Sequence, residues 1–282
     1  MSESETMPHP RPEGGDIAYP IYPDSLPAGV LQGGRYYLRF ASSEADLRAI
    51  QRLRFEVFNL ELDEGLDSAY VLGRDEDEFD VTCHHLMVVH KGTEQVVGTY
   101  RIMTHPMARD RGGFYSETEF DFSSLPVSVL ERCIEVGRAC VASDHRNGRV
   151  LNLLWRGLAR YLTWNDKRYL FGCCSVPTLD EAVGESIFRR LKQDNHLHPE
   201  VMLKPLPPLQ SNGRAEEAKG DVPLPPLFQS YLKIGAKVCS PPAVDRRFKV
   251  IDFFVLLDLE QLDEAVQRTF FGRDRWIEAG DA

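Results

Sequence analysis

Glu135 and Arg138 sit inside a run, 134–141 (IEVGRACV), that is otherwise apolar. An ionisable side chain in a buried strand is costly unless paired, so two within one short strand need a reason. A polar turn follows, 142–149, holding Asp144, His145, Arg146 and Gly148. From Val150 the apolar period becomes helical: Leu151, Leu154, Leu158 and Leu162 fall in step, supported by Ala159 and Tyr161. Strand, basic glycine-containing turn and helix make a geometry that binds phosphate, because unpaired N–H groups and the positive end of the helix dipole face the anion. Two further arginines stand out of pattern. Arg54 is in register with the apolar stripe Leu47, Ile50, Val57 and Phe58, and Arg101 interrupts an apolar strand. Arg54 is either snorkelling or reaching into a cleft, and Arg101 calls for a partner.

The elements that must position these residues are legible in outline. A strand is expected over 36–40, then a helix from the capping sequence Ser43-Glu44-Ala45-Asp46 to about 60. Residues 61–80 read as acidic loop with little helix. A hairpin follows, with strands over 83–90 and 95–103 joined by the turn 91–94. A short helix near 125–132 precedes the central strand. After the central helix come a buried strand over 169–176, a helix over 179–193, a strand over 198–204, a helix over 228–237, an apolar strand over 250–259 and a terminal helix over 261–271. This order is α+β: one mixed, mostly antiparallel sheet covered by helices on both faces.

Residues 1–34 read as a disordered tail, rich in Pro, Gly, Ser and Glu. The domain is expected over 35–272, with a flexible Pro-rich insertion at 204–226 in which PLPPL occurs twice, and a second tail at 273–282. A chain of 282 residues, 43% apolar, can hold one large domain or two small ones. The net charge of −10 argues against non-specific nucleic-acid binding. Its distribution is uneven: 61–80 is strongly acidic, whereas Arg138, Arg146, Arg149, Arg156, Arg160, Lys167 and Arg168 gather around the central turn. A cationic acceptor beside an anionic donor would suit this division, as would two ordinary solvated faces. No apolar run has the length of a spanning helix, and the first residues lack the basic and apolar regions of a secretory signal. The six cysteines, 83, 133, 140, 173, 174 and 239, show no metal or disulfide spacing, so a reduced cytoplasmic protein without a metal is expected. Cys173 and Cys174 read as packing residues.

Several motifs then occur in a telling order: R-x-x-x-F (Arg54 to Phe58), D-x-x-D (Asp77 to Asp80), the arginine of GTYR (Arg101), E-x-x-R (Glu135 to Arg138) and R-x-G-x-V (Arg146 to Val150). In this order they resemble acyl-carrier-protein-dependent GNAT N-acyltransferases, including the acyl-homoserine-lactone synthases. The segments FDVTCHHLMVVH, VVGTYRIM, EVGRACV, LLWRGLARYL, YLFGCCSV and PPLFQSYLKIGAKVCSPPAVDRRFKVIDFFVLLDL resemble more closely the ornithine–acyl carrier protein N-acyltransferases, often labelled haemolysin-like. The tryptophan that lactone synthases carry between the first two motifs is missing, since Trp155, Trp164 and Trp276 lie elsewhere.

The resemblance implies a GNAT-like fold and transfer of a long-chain, 3-hydroxylated acyl group from acyl carrier protein to the α-amine of ornithine. The donor is acyl-phosphopantetheine, with no tightly bound cofactor. Other amine acceptors, S-adenosylmethionine among them, and a non-catalytic carrier-binding module stay open. It further implies Glu135 as base or amine-orienting group and Arg138 beside it. Asp77 and Asp80 would hold a cationic side chain, with Arg54, Arg101 or Arg138 on the carboxylate and Phe58 in the acceptor pocket. Val141 lies near the oxyanion, and Arg146, Gly148 and Arg149 on the phosphate. Strict alternation would put Glu135 and Arg138 on opposite faces, so a bulge at Gly137 is expected. An acylated product is compatible with peripheral contact at the inner membrane.

Overall fold

The computed structural model describes residues 19–211 and 222–271, together with the backbone of 276–277. Its strands are β1 (Val30–Gly33), β2 (Tyr36–Phe40), β3 (His84–His90), β4 (Gln95–Thr104), β5 (Phe120–Asp121), β6 (Cys133–Val141), β7 (Tyr169–Val176), β8 (Lys204–Pro205), β9 (Lys237–Val238), β10 (Ala243–Asp245), β11 (Val250–Asp258) and β12 (Trp276–Ile277). The α-helices are α1 (Glu44–Arg54), α2 (Ser68–Leu72), α3 (His105–Arg111), α4 (Val127–Glu131), α5 (Arg149–Trp164), α6 (Glu181–Gln193), α7 (Pro226–Lys233) and α8 (Glu264–Phe271).

The main sheet runs β10-β11-β7-β6-β4-β3-β2-β1-β12, with β9 also on β11. Every neighbouring pair is antiparallel except β6 and β7. That parallel pairing lasts only from Cys133–Tyr169 to Glu135–Phe171, after which the two strands part. Beyond Glu135, β6 has no strand on its β7 side, so backbone N–H and C=O groups there face the gap. Gly172 stands where the strands separate. A Cβ there would lie 2.2 Å from the Val136 carbonyl oxygen, so only glycine lets β7 pass.

One face carries α5, whose Val150, Leu153, Leu154, Leu158, Tyr161 and Leu162 pack on Leu38, Leu86, Val88 and Ile102. α6 and α7 extend that layer over Phe253 and Val255 of β11. The opposite face is covered by α1, α3, α4 and the loops around Phe114 and Phe120. The mixed, mostly antiparallel α+β sheet with helices on both faces is thus as expected.

Several local expectations change. The span read as a tail contains β1, which pairs with β2, and β12 in the second tail pairs with β1; residues 1–18 lie outside the described ones. Of the strand expected over 198–204, only the end at β8 forms. The described part of the Pro-rich insertion contributes β8, the 3-10 turn Pro207–Leu209 and the start of α7. The first helix stays α-helical only to Arg54. Residues Phe55–Glu61 widen into a π-helical stretch, in which the N–H of Leu62 reaches the carbonyl of Val57. Such widened turns recur at functional sites because they redirect side chains.

Candidate active site

The bulge expected at Gly137 is present one residue later. Arg101 opposes Gly137 and Thr99 opposes Cys140, so β6 carries one residue more than β4 across this step. Arg138 takes the left-handed conformation, with φ of 48°. The extra residue of a bulge changes side-chain parity along the strand. Ile134 and Val136 pack under α5, whereas Cys140 packs with Leu53 and Val57 on the α1 side. Glu135 and Arg138 thereby line one cleft, of 1190 Å³, together with Arg101, Tyr115 and Asp252.

Around it lies a buried ion-pair network. Arg54, fully buried, donates from Nε to Asp75 Oδ1 at 2.7 Å and from Nη1 to Asp80 Oδ1 at 2.6 Å. Its Nη2 also faces Asp75. Arg101 Nη1 donates to both Asp77 oxygens at 2.6 Å and to Asp80 at 3.1 Å. Arg138 Nη2 donates to the other oxygen of Asp75. Gln51 Nε2 adds a bond to Asp80 at 3.0 Å, and His85 Nε2 lies 3.7 Å away. Three guanidinium groups face three carboxylates, so the cluster is balanced without a charged imidazole. Burial pulls the acidity of His85 toward the neutral form. Burial disfavours the Asp80 carboxylate too, but Arg54, His85 and Arg101 overcome it and hold the group well below the usual range.

The oxygens of Asp77 and Asp80, expected to hold a cationic side chain, pair with the chain's own guanidinium groups in this structure. Arg54 and Arg101 are likewise committed. Arg138 is the exception among the three: its side chain is 16% exposed, and its guanidinium lies 4.5 Å over Phe58 and 5.3 Å over Phe248. Phe58 reaches it from the π-helical stretch.

Glu135 is buried and strongly held. Oε2 accepts the Tyr115 N–H at 2.9 Å, and Oε1 accepts the Ser116 N–H at 2.7 Å and hydroxyl at 2.6 Å. Burial raises its pKa above the usual carboxylate value despite these donors and Arg101. Three donors leave lone pairs for one more partner, a water or an amine. Ser116 Oγ also meets Cys173 Sγ at 3.4 Å. Burial pushes the Cys173 thiol far up, so it is no thiolate nucleophile.

At the phosphate-type turn, Gly148 holds φ of 76° immediately before α5, and Asn147 Oδ1 accepts the exposed Arg149 N–H at 3.1 Å. Arg146, expected on the donor phosphate, pairs here through Nη2 with Glu61 at 2.7 Å and donates from Nε to the Val141 carbonyl at 3.0 Å. It braces the turn against the π-helical stretch.

On the other side of the strand gap the same cleft becomes an apolar channel between α5, α7 and β7, past Leu154, Trp155, Leu158, Phe228 and Tyr231. Trp155 stacks on Tyr231 with centroids 5.9 Å apart. A chamber lined by charged groups and an apolar channel therefore meet where β6 and β7 part. A thioester carbonyl in that gap would have its tail in the channel, its carbonyl beside free strand N–H groups, and an attacking amine in the chamber.

Sequence reasoning missed Asp75, Tyr115, Ser116, Glu119, Asp245 and Asp252. Asp252 was findable: it is an acid inside an apolar strand, the same signal that marked Glu135. Among the described residues, no helix is long and apolar enough to cross a membrane.

Residues 53–156 match the acetyltransferase (GNAT) domain model. The L-ornithine N(alpha)-acyltransferase of Brucella abortus (strain 2308) is 32% identical over 81% of this chain and 86% of its own length. That of Rhodobacter capsulatus is 31% identical over 84% and 95%. The crystal structure of the AHL synthase LasI overlays with a TM-score of 0.46 at 13% identity, over 86% of this chain and 98% of that one.

Proposed function

The chain belongs to the L-ornithine N(alpha)-acyltransferases, a GNAT-type family, and from that membership we propose that it moves a long-chain 3-hydroxy fatty acyl group from acyl carrier protein to the α-amine of ornithine, giving lyso-ornithine lipid. The observation that carries the donor half of this reading is the apolar channel opening into the charged chamber at the strand gap. A long acyl tail gains roughly 0.8 kcal/mol per buried methylene in such a channel, which favours long chains over acetyl.

The ammonium of the acceptor is not nucleophilic and must first lose a proton. Glu135, raised by burial toward working pH, takes that proton directly or through a water. The amine nitrogen then forms a bond to the thioester carbon. The oxyanion is held by N–H groups of β6 that lack a β7 partner. As the nitrogen gives up its second proton the intermediate collapses, the C–S bond breaks, and the phosphopantetheine sulfur leaves and takes up that proton as a thiol. Arg138, partly exposed and only half used, grips the acceptor carboxylate. The α5 N-terminus at Gly148 and Arg149 receives the donor phosphate, and the basic residues beyond it dock the acidic carrier. The product's tail supports peripheral membrane contact.

Lipid mass spectrometry on a host lacking ornithine lipids, with and without this gene, tests the reading. An acyl-ornithine species supports it and gives the chain length. A different acylated amine moves the acceptor and keeps the chemistry; no new species beside a folded, carrier-binding protein refutes the reading.

A further inference from the structure

Glu119, Asp245 and Asp252 bring three carboxylates together, with oxygens from all three within 4.8 Å of one another. All are buried, with relative exposures of 2%, 7% and 2%. Like charges this close repel, and nothing nearby neutralises them: among the described residues no basic side chain lies within ion-pair distance of any of the three. Asp252 Oδ1 accepts the Ser175 hydroxyl at 2.6 Å, and Asp245 Oδ1 accepts the N–H groups of Arg247 and Phe248 at 2.7 and 3.2 Å. Glu119 has less. The Tyr115 and Cys173 side chains lie beside it, yet both of its buried oxygens lack a partner in hydrogen-bonding geometry, which native interiors rarely tolerate unless a ligand completes the site. Burial and the two aspartates hold Glu119 well above the usual carboxylate range, and burial places Asp252 at about 7. Retained protons relieve the repulsion, and a bound cation would displace them.

The cluster's place in the fold says which cation. Asp252 and Cys173 line the same cleft as Glu135. Glu135 lies opposite Phe171 on β7, and Cys173, beside Glu119, is two residues further along the same face, about 7 Å at the rise of a strand. In an extended ornithine the α-amine and the terminal ammonium are about 6 Å apart by standard bond lengths. We propose that Glu119, Asp245 and Asp252 form the receptor for the terminal ammonium of the acceptor, and so determine that a diamino acid is chosen. This rests on the acceptor reading above. An ammonium has three N–H donors, one for each carboxylate. With N–H···O bonds of about 2.9 Å in a tetrahedral arrangement, the accepting oxygens stand about 4.7 Å apart, compatible with the observed spread. Asp77 and Asp80, saturated by arginine, are left to structure.

The test uses the purified full chain, an acyl carrier protein thioester, and two acceptors: ornithine and norvaline, which lacks only the terminal amine. The wild type should favour ornithine strongly. Glu119→Gln and Asp252→Asn should each shrink that preference by about 10- to 100-fold, through KM for ornithine, while KM for the thioester stays put. Norvaline turnover in the same preparations reports folding. A second measurement needs no variant: 1,4-diaminobutane should compete with ornithine on the wild type, and butylamine at equal concentration should not. A preference unchanged in both variants overturns the proposal while leaving ornithine acylation intact. So does loss of ornithine turnover on chelation with recovery on adding a divalent cation, which would make the triad a metal site. A wild type that acylates no ornithine removes the acceptor reading, and this proposal with it.

Discussion

Replacing Arg54 by Met tests whether the buried network holds the site together. Arg54 is wholly buried and supplies bonds of 2.7 and 2.6 Å to Asp75 and Asp80, plus a further contact to Asp75. Met roughly fills the volume but leaves three carboxylates facing two guanidinium groups. Removing one partner from a buried charge cluster costs about 3–5 kcal/mol, because the remaining charges stay desolvated. At about 2–4 °C per kcal/mol for a chain of this class, the midpoint of thermal unfolding should drop by roughly 6–20 °C. A urea titration should show the same loss as an earlier midpoint with an unchanged slope. Adding Asp75→Asn restores the balance at two against two, so the double variant should be more stable than additivity allows. A loss below about 1 kcal/mol for Arg54→Met, with additive behaviour in the double variant, would refute the network as the anchor of this cleft.

Glu135→Gln removes a base and keeps the shape, so kcat should fall by about 10²–10⁴ while acyl carrier protein still binds; undiminished kcat in a turnover assay would rule Glu135 out. Asp252 titrates at about 7 when folded and near 3.8 when unfolded. The folded chain therefore binds the extra proton between about pH 4 and 7, and this group's contribution to stability falls as pH rises through that window. Asp252→Asn should remove that slope from a series of chemical denaturations, and a steeper slope would contradict the buried site. Gly172→Ala places a methyl against the Val136 carbonyl, 2.2 Å away, and should cost about 1–3 kcal/mol in urea unfolding together with acyl transfer; an unaltered protein would mean the strands can part elsewhere.

How much of this was legible in the sequence depends on whether the signal was local. β2, β6, α5 and β7 follow from periodicity, and the bulge followed from one contradiction: Glu135 and Arg138 cannot share a face of a regular strand. Arg54 and Arg101 were rightly singled out as charges in apolar positions. What they do was not readable, because their partners come from a loop 21 to 26 residues away in the chain, and no local rule pairs them. The same distance hid which acids are paired and which are not. Asp77 and Asp80 form an obvious pair in sequence, yet arginines occupy them. Glu119, Asp245 and Asp252 are scattered over three elements and meet only in the folded chain. β1 was lost within a Gly- and Pro-rich segment, since a four-residue strand carries too little period to detect.

Arg138 connects the two kinds of acid. Its left-handed φ is strained for a side chain of its size, at a cost of order 1–3 kcal/mol that the surroundings must over-determine. Asp75 supplies the hold: one oxygen is fixed by Arg54 and the other takes Arg138. Anchoring Asp75 deep in the network therefore fixes the bulge from outside the strand, and the bulge aims Arg138 over Phe58 into the cleft. The π-helical stretch that starts right after Arg54 puts Phe58 beneath it. A chain of contacts thus runs from a buried structural arginine to the one arginine of that network left partly open, and Asp252 and Cys173 line the same cleft. An amino acid with a cationic end carries a carboxylate and an ammonium, and on the proposed assignment Arg138 and the Glu119–Asp245–Asp252 cluster would complement them. Holding Arg138 in that position is what an otherwise expensive buried network would then achieve.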